Sequence, residues 1–161
     1  MPDALERYAR VPPKETVVRR LTLARYLFQL AAQNARSDLD VANSASINLL
    51  QDAIEIFLLA AIAHLNVQIG PRTDFPQYLD KIVEATGEEL PFRRRLIDIN
   101  KVRNLSKHDG ISPNAKEIVG YLADARKFLE QASNKNLNTD FWSINSLISL
   151  LEDRESRESS C

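Results

Sequence analysis

Residues 53–65 read AIEIFLLAAIAHL, and only Glu55 and His64 in this stretch are polar. A helix that is apolar on nearly every side belongs at the centre of a helical bundle or in a membrane. Thirteen residues are too few to cross a bilayer, which needs about 20. We therefore expect a central bundle helix over residues 41–67 and no membrane contact. Its apolar circumference exceeds what one neighbour covers, which also favours a helix-to-helix dimer surface.

The first helix is predicted over residues 14–36, because apolar residues recur there at helical spacing. The face expected to pack contains Val17, Leu21, Ala24, Phe28 and Ala31, widened by Leu23, Leu27 and Leu30. The arginines expected on its solvent side are Arg19, Arg20 and Arg25.

Glycine and proline residues mark the expected helix boundaries in the rest of the chain. A third helix over 75–86 should end at Gly87, and a fourth over 91–108 should have Pro91 in its first turn and end at Gly110. Ser112 and Pro113 are typical of the start of a fifth helix, which we expect to reach residue 132. An asparagine-rich loop containing Asn134, Asn136 and Asn138 should follow. A sixth helix, capped by Thr139 or Asp140, should carry Trp142, Ile144, Leu147, Ile148 and Leu151 on its apolar face.

The composition agrees with one soluble all-α domain. The chain has 161 residues, of which 44% are hydrophobic and 27% charged, ordinary values for a globular protein. We expect a bundle of five to six helices over residues 14–152, with a lead-in over 1–13 and a flexible polar tail over 153–161. The tail should be dispensable for stability.

Charge and cysteine content exclude several classes of function. A net charge of −1 excludes a broadly basic nucleic-acid-binding protein, so any RNA must meet a local patch. A single cysteine, Cys161, excludes a disulfide framework and a cysteine-based metal site. No histidine or carboxylate spacing indicates another metal site. The polar N-terminus lacks the apolar core of a signal peptide. We expect a cytoplasmic protein without a metal or a cofactor.

Residues 100–110, NKVRNLSKHDG, collect most of the polar chemistry at the end of the fourth helix. At 100° per residue, five side chains share an arc of about 140°. They are Asn100, Arg103, Asn104, Lys107 and His108. Residues 91–108 contain six basic side chains and one acidic one, a net charge of +5. This surface suits an anionic ligand such as a phosphate.

Structural roles are also open for the polar residues of these two helices. His64 fits a packing histidine better than a catalytic one. Glu55, in its apolar setting, needs a partner or a proton, and Arg103 is a candidate partner. Arg103 and His108 would then only brace the bundle.

The sequence Arg103-Asn104-Leu105-Ser106-Lys107-His108 at the end of a long helix in an all-α chain resembles the HEPN superfamily. The motif of that family is an arginine, a polar residue that is often asparagine, a short spacer and a histidine. Arg103, Asn104 and His108 match it, with four residues between arginine and histidine. The resemblance covers residues 14–132. The chain departs from the toxin subset of the family, because Gly110 stands where those proteins have a tyrosine.

The resemblance implies a metal-independent endoribonuclease that works as a homodimer, with two motifs facing each other across a cleft. It implies catalytic roles for Arg103, Asn104 and His108. From the polar and basic character of the same helix we expect Lys107, Asn100 and Lys101 to bind substrate. The resemblance also implies a place in toxin–antitoxin or antiviral defence systems, with an antitoxin or a nucleotidyltransferase as protein partner.

The residue chemistry agrees with that expectation. The 2′-hydroxyl of RNA is an internal nucleophile, so the enzyme needs a base, an acid and a cation. A histidine titrates near neutrality and can serve as base or acid, while an arginine holds a phosphate with two hydrogen bonds. Arg103 and His108 lie about 140° apart on one helix, which favours a site shared between two chains. The alternative function is a non-catalytic helical adaptor that binds a partner through the apolar second and basic fourth helices.

Overall fold

The structure, a computed structural model, describes residues 14–35 and 38–143. Within those ranges the chain forms five α-helices and one 3-10 helix, and no strand. They are α1 (Glu15–Asn34), α2 (Asp40–His64), α3 (Phe75–Thr86), α4 (Arg93–Asp109), α5 (Ala115–Leu137) and the 3-10 helix Phe141–Ser143. The predicted all-α bundle is confirmed. The lead-in 1–13, residues 144–152 of the predicted sixth helix and the tail 153–161 lie outside the described residues.

α2 is the centre of the bundle, as predicted, because it packs against α1, α3, α4 and α5. By length and hydropathy alone this helix is long enough to cross a membrane, and 61% of its most apolar window is buried inside the bundle. It ends at His64, three residues earlier than predicted. The cause is Asn66, whose left-handed backbone (φ 60°) interrupts the helix.

α1 packs antiparallel to α2. The Ser46 hydroxyl donates to the Ala31 carbonyl at 2.7 Å, and Arg20 Nη1 donates to the Leu59 carbonyl at 3.5 Å. The predicted core face is buried, but the wider stripe is not fully packed, since Leu23 is 46% exposed.

Arg25 does not line the solvent side of α1 as predicted. It is half-buried, and its Nε and Nη1 atoms are buried without a hydrogen-bond partner. The reason is its position one residue after Ala24 and four after Leu21, which are both fully buried. Its stem therefore lies along the packed face, whereas Arg19 and Arg20 are exposed as expected.

α3 has the predicted bounds. The Asp74 side chain and Gln77 form a capping box at its start, and Gly87 ends it in the left-handed conformation (φ 71°). α4 begins two residues later than predicted, because Phe92 has a left-handed backbone (φ 60°) that is incompatible with a helical turn. Its end at Gly110 (φ 67°) agrees with the prediction.

α5 differs from the prediction at both ends. Its N-cap is Asn114, whose side chain accepts a hydrogen bond from the Glu117 amide at 2.8 Å, rather than Ser112. At the other end the helix runs through Asn134 and Asn136 to Leu137, and Asn138 ends it with a left-handed backbone (φ 48°). The expected asparagine-rich loop is therefore mostly helix.

The 3-10 helix closes the end of the bundle. Asp140 caps it, accepting from the Trp142 amide at 3.1 Å. Phe141 is fully buried and lies edge-on to Phe57, 6.2 Å between ring centroids. Trp142 Nε1 donates to Glu130 Oε1 at 2.6 Å, which ties this helix to α5.

Candidate functional site

The predicted site residues lie on the C-terminal half of α4, with unequal exposure. Lys101, Asn104, Lys107 and His108 are exposed, while Arg103 is half-buried. Lys107 and His108 occupy the last turn, where the partial negative charge of the helix end favours cations. The C-terminal half of α4 therefore presents amide, ammonium and imidazole groups at its surface.

The helix end is fixed by its backbone. The amides of Gly110 and Ile111 both point to the Leu105 carbonyl, the second at 3.3 Å. Glycine takes the left-handed conformation required here without steric cost. This cap fixes the end of α4 directly after the turn that carries His108, and the side chains of Leu105 and Ile111 beside it are 44% and 56% exposed.

A polar strip, which we call the α2–α4 seam, joins the site helix to the central helix. Its members are Ser44, Asn48 and Gln51 on α2, Asn100 and Ser106 on α4, and Ser112 beyond α4. Gln51 Nε2 donates to Asn100 Oδ1 at 3.0 Å, and Asn48 Nδ2 donates to Ser106 Oγ at 3.4 Å. The hydroxyls of Ser44 and Ser112 lie 2.5 Å apart. The pairing shows that α4 runs antiparallel to α2.

Arg103 lies between two of these hydrogen bonds, one turn after Asn100 and one turn before Ser106. Its Nε atom is buried and has no hydrogen-bond partner. No ion pair reaches its guanidinium from any described residue. The side chain therefore enters the seam as an unneutralised cation.

The candidate pair between Arg103 and Glu55 does not form. Glu55 is only partly buried, so water can solvate its carboxylate. Burial, then the nearby carboxylates of Glu55 and Asp74, raise the pKa of Tyr78 on α3. The carboxylate of Glu55 therefore lies on the side of α2 that packs against α3.

Ion pairs neutralise part of the basic helix. α4 contains six basic and two acidic residues, a net charge of +4. Arg93 bonds to Asp80 and Glu89, and Arg95 bonds to Asp124 at 2.5 Å. The cations of α4 without an acidic partner among the described residues are Arg94, Lys101, Arg103 and Lys107. The basic patch is therefore smaller than the sequence indicated and is centred on the C-terminal half.

One chain does not bring Arg103 and His108 together. They are five residues apart on a regular helix, so their side chains point about 140° apart. Arg103 faces the seam and His108 faces outward. Asn100, predicted to bind substrate, has its amide oxygen engaged by Gln51.

The α2 side of the seam was not predicted from the sequence. A detectable signal existed, since Ser44, Asn48 and Gln51 recur at intervals of four and three on a predominantly apolar helix. Other candidate groups add little: His64 is half-buried at the end of α2, and residues 14–35 and 38–143 contain no cluster of three His, Cys, Asp or Glu side chains.

No protein-family model matches this chain, and no curated protein or solved structure matches it either. Function is therefore inferred from the residues at the end of α4.

Proposed function

We propose that this protein is a metal-independent endoribonuclease whose site lies at the C-terminal end of α4. The observation that carries the proposal is the contrast in charge along this helix. Carboxylates neutralise Arg93 and Arg95, whereas Arg103 and Lys107 keep their charge beside an exposed histidine. A half-buried arginine without an acidic partner can take an anionic ligand as its counter-charge. The motif that resembles the HEPN superfamily points to the same residues.

The chemistry assigns one task to each group. The 2′-oxygen of RNA attacks the adjacent phosphorus, and the bond to the 5′-oxygen breaks. His108 removes the proton from the 2′-hydroxyl or donates one to the 5′-oxygen. Arg103 and Lys107 stabilise the negative charge that develops on the phosphorane oxygens. Asn104, exposed one residue after Arg103, orients the histidine or the phosphate.

The site requires two chains. On one regular helix Arg103 and His108 lie at the two edges of the polar arc, about 140° apart, so their side chains diverge. Two antiparallel α4 helices would bring the arginine of one chain to the histidine of the other. The site is therefore a composite of a homodimer.

The surface of α1 and α2 supports a second copy. Leu49, Ile56 and Leu59 share one arc of α2 and are only partly buried. The bond from Arg20 to the Leu59 carbonyl places this arc beside α1, where Leu23 is 46% exposed. This mixed surface, in which Asp52 lies among the apolar side chains, is one that a second copy could cover.

The test is the chemistry of the products. The purified protein is incubated with labelled RNA in the presence of a chelator, and the ends of the products are identified. We expect a 2′,3′-cyclic phosphate and a 5′-hydroxyl, because the nucleophile is internal. RNA with a 2′-deoxyribose at the scissile position should resist cleavage. Activity that requires a divalent metal and survives His108→Ala would overturn the proposal.

A second candidate is the non-catalytic adaptor. It is favoured by the exposed Leu105 and Ile111, which flank the cations, and by Val41, which is 82% exposed. A protein segment with acidic and apolar residues would cover such a surface. Stable complex formation with a protein partner and no cleavage of any RNA would favour the adaptor.

A further inference from the structure

Two buried polar atoms of opposite hydrogen-bonding character lie without partners in the α2–α4 seam. Gln51 is only 1% exposed, and its Oε1 accepts no hydrogen bond. The Nε of Arg103 is buried and donates none. Buried acceptors and donors are nearly always paired in folded proteins, so two orphans in one seam require an explanation.

The hydrogen bonds of the seam place these two residues at neighbouring levels. Gln51 bonds to Asn100, one turn before Arg103, and Asn48 bonds to Ser106, one turn after it. The side chain of Arg103 therefore enters between Gln51 and Asn48. Asn48 uses its Nδ2 to donate to Ser106 and to the Ser44 carbonyl, at 3.4 and 2.7 Å. Gln51 is the one of the two whose amide oxygen is buried and free.

We propose that Gln51 is a positioning residue for Arg103: when Arg103 binds a phosphate, its Nε–H donates to Gln51 Oε1. The proposal rests on the proposed function in taking Arg103 as the phosphate-binding arginine. Anchoring Nε fixes the plane of the guanidinium and leaves both Nη groups to bind two phosphate oxygens.

The neutral character of glutamine suits this role. A carboxylate at this position would hold the arginine but would also cancel its charge, as Asp124 does for Arg95. An amide oxygen orients the guanidinium and leaves its charge for the ligand. Gln51 keeps its bond to Asn100 in the meantime, because its Nε2 and Oε1 act separately.

The experiment follows the Arg103 Nε–H signal by NMR in ¹⁵N-labelled protein titrated with inorganic phosphate. In the wild type, phosphate should shift this signal and protect it from exchange with water. Gln51→Met, of similar shape and without an acceptor, should weaken phosphate binding about tenfold, the usual effect of one hydrogen bond to a charged group. Gln51→Glu should protect the Nε–H before phosphate is added.

Asn48→Leu is the matched control, because it removes a seam hydrogen bond while leaving the Gln51 oxygen in place. It should leave phosphate affinity within about twofold. If Asn48→Leu weakens binding as much as Gln51→Met, loosening of the seam explains both and the inference is overturned. A Nε–H signal that phosphate does not move in the wild type overturns it as well.

Failure of this inference can be distinguished from failure of the ribonuclease proposal. If the Nε–H responds as expected but no RNA is cut, Gln51 positions Arg103 at an anion site of another function. If RNA is cut and Gln51→Met has the wild-type kcat and Nε–H signal, the ribonuclease stands and the role of Gln51 is rejected.

Discussion

Two arginines on α4 meet opposite surroundings. Arg95 donates to Asp124 at 2.5 Å and lies over the Tyr121 ring, 4.6 Å from its centroid. Arg103, eight residues later, has a buried Nε and no acidic partner among the described residues. Arg95 joins α4 to α5, whereas Arg103 has no acidic partner among the described residues.

This contrast predicts opposite effects of one substitution. Arg103→Met should leave the free energy of unfolding unchanged or raise it by about 1 kcal/mol, because it removes an unsatisfied buried donor. Arg95→Met should lower it by about 1 kcal/mol, since it removes a partly exposed ion pair and a cation–π contact. Urea unfolding measures both. If Arg103→Met proves the more destabilising, the arginine braces the bundle instead of serving a ligand.

His108→Ala should separate activity from stability. Loss of a positioned acid or base lowers a rate by about 10²–10⁴, whereas an exposed residue contributes within about 0.5 kcal/mol of stability. We expect cleavage to fall by that factor with an unchanged melting temperature. Lys127→Ala, an exposed cation on α5, is the control and should cut RNA like the wild type. Equal loss in both variants would indicate a general charge effect.

The exposed residues of the candidate site could be predicted from the sequence. The residues that face them from α2 across the seam could not. The predicted exposed residues Asn104, Lys107 and His108 follow from the periodicity of α4 and are exposed. Gln51 was missed because periodicity within one helix does not identify what another helix brings to it. For the same reason the sequence could not decide whether Arg103, a candidate partner of Glu55, forms that pair.

At the scale of elements, the helix ends that contain a glycine were predicted correctly, whereas three boundaries that lack one were not. Gly87 and Gly110 end their helices as predicted, because glycine signals a left-handed backbone in the sequence. Asn66, Phe92 and Asn138 take the same conformation without a glycine. Asparagine adopts this conformation less often than glycine, and phenylalanine rarely does, so the bounds of α2, α4 and α5 moved by two to five residues from the prediction.

The contact between α5 and the 3-10 helix through Glu130 should weaken at low pH. Hydrogen bonds from Trp142 and then Arg126 lower the pKa of Glu130 below its ordinary value. The ionised carboxylate therefore contributes stability that is present above the unfolded pKa, near 4.5, and is lost as pH falls through the folded value. Melting temperature measured from pH 7 to 3 should fall more in the wild type than in Glu130→Gln. Parallel curves would exclude this contribution.

At the scale of the whole molecule, the composite site predicts complementation. Arg103→Met and His108→Ala chains, each inactive alone, are mixed under conditions that exchange subunits. Each mixed dimer would contain one intact site, so random exchange should restore about a quarter of wild-type activity. Light scattering on the wild type should give twice the chain mass of 18.2 kDa. A monomer, or a mixture without activity, would contradict a site shared between chains.

The order in which the bundle assembles follows from how its interfaces are distributed along the chain. α1 and α2 share the largest helix interface and are joined by a short connection, so closing that loop costs little entropy and the hairpin can form early. α4 and α5 leave the ribosome later. Before α4 is synthesised, the side of α2 that later packs against α4 is exposed to solvent. This side contains Ser44, Asn48 and Gln51. Water satisfies these groups during synthesis, so this side of the half-made protein is less prone to aggregate than an apolar one.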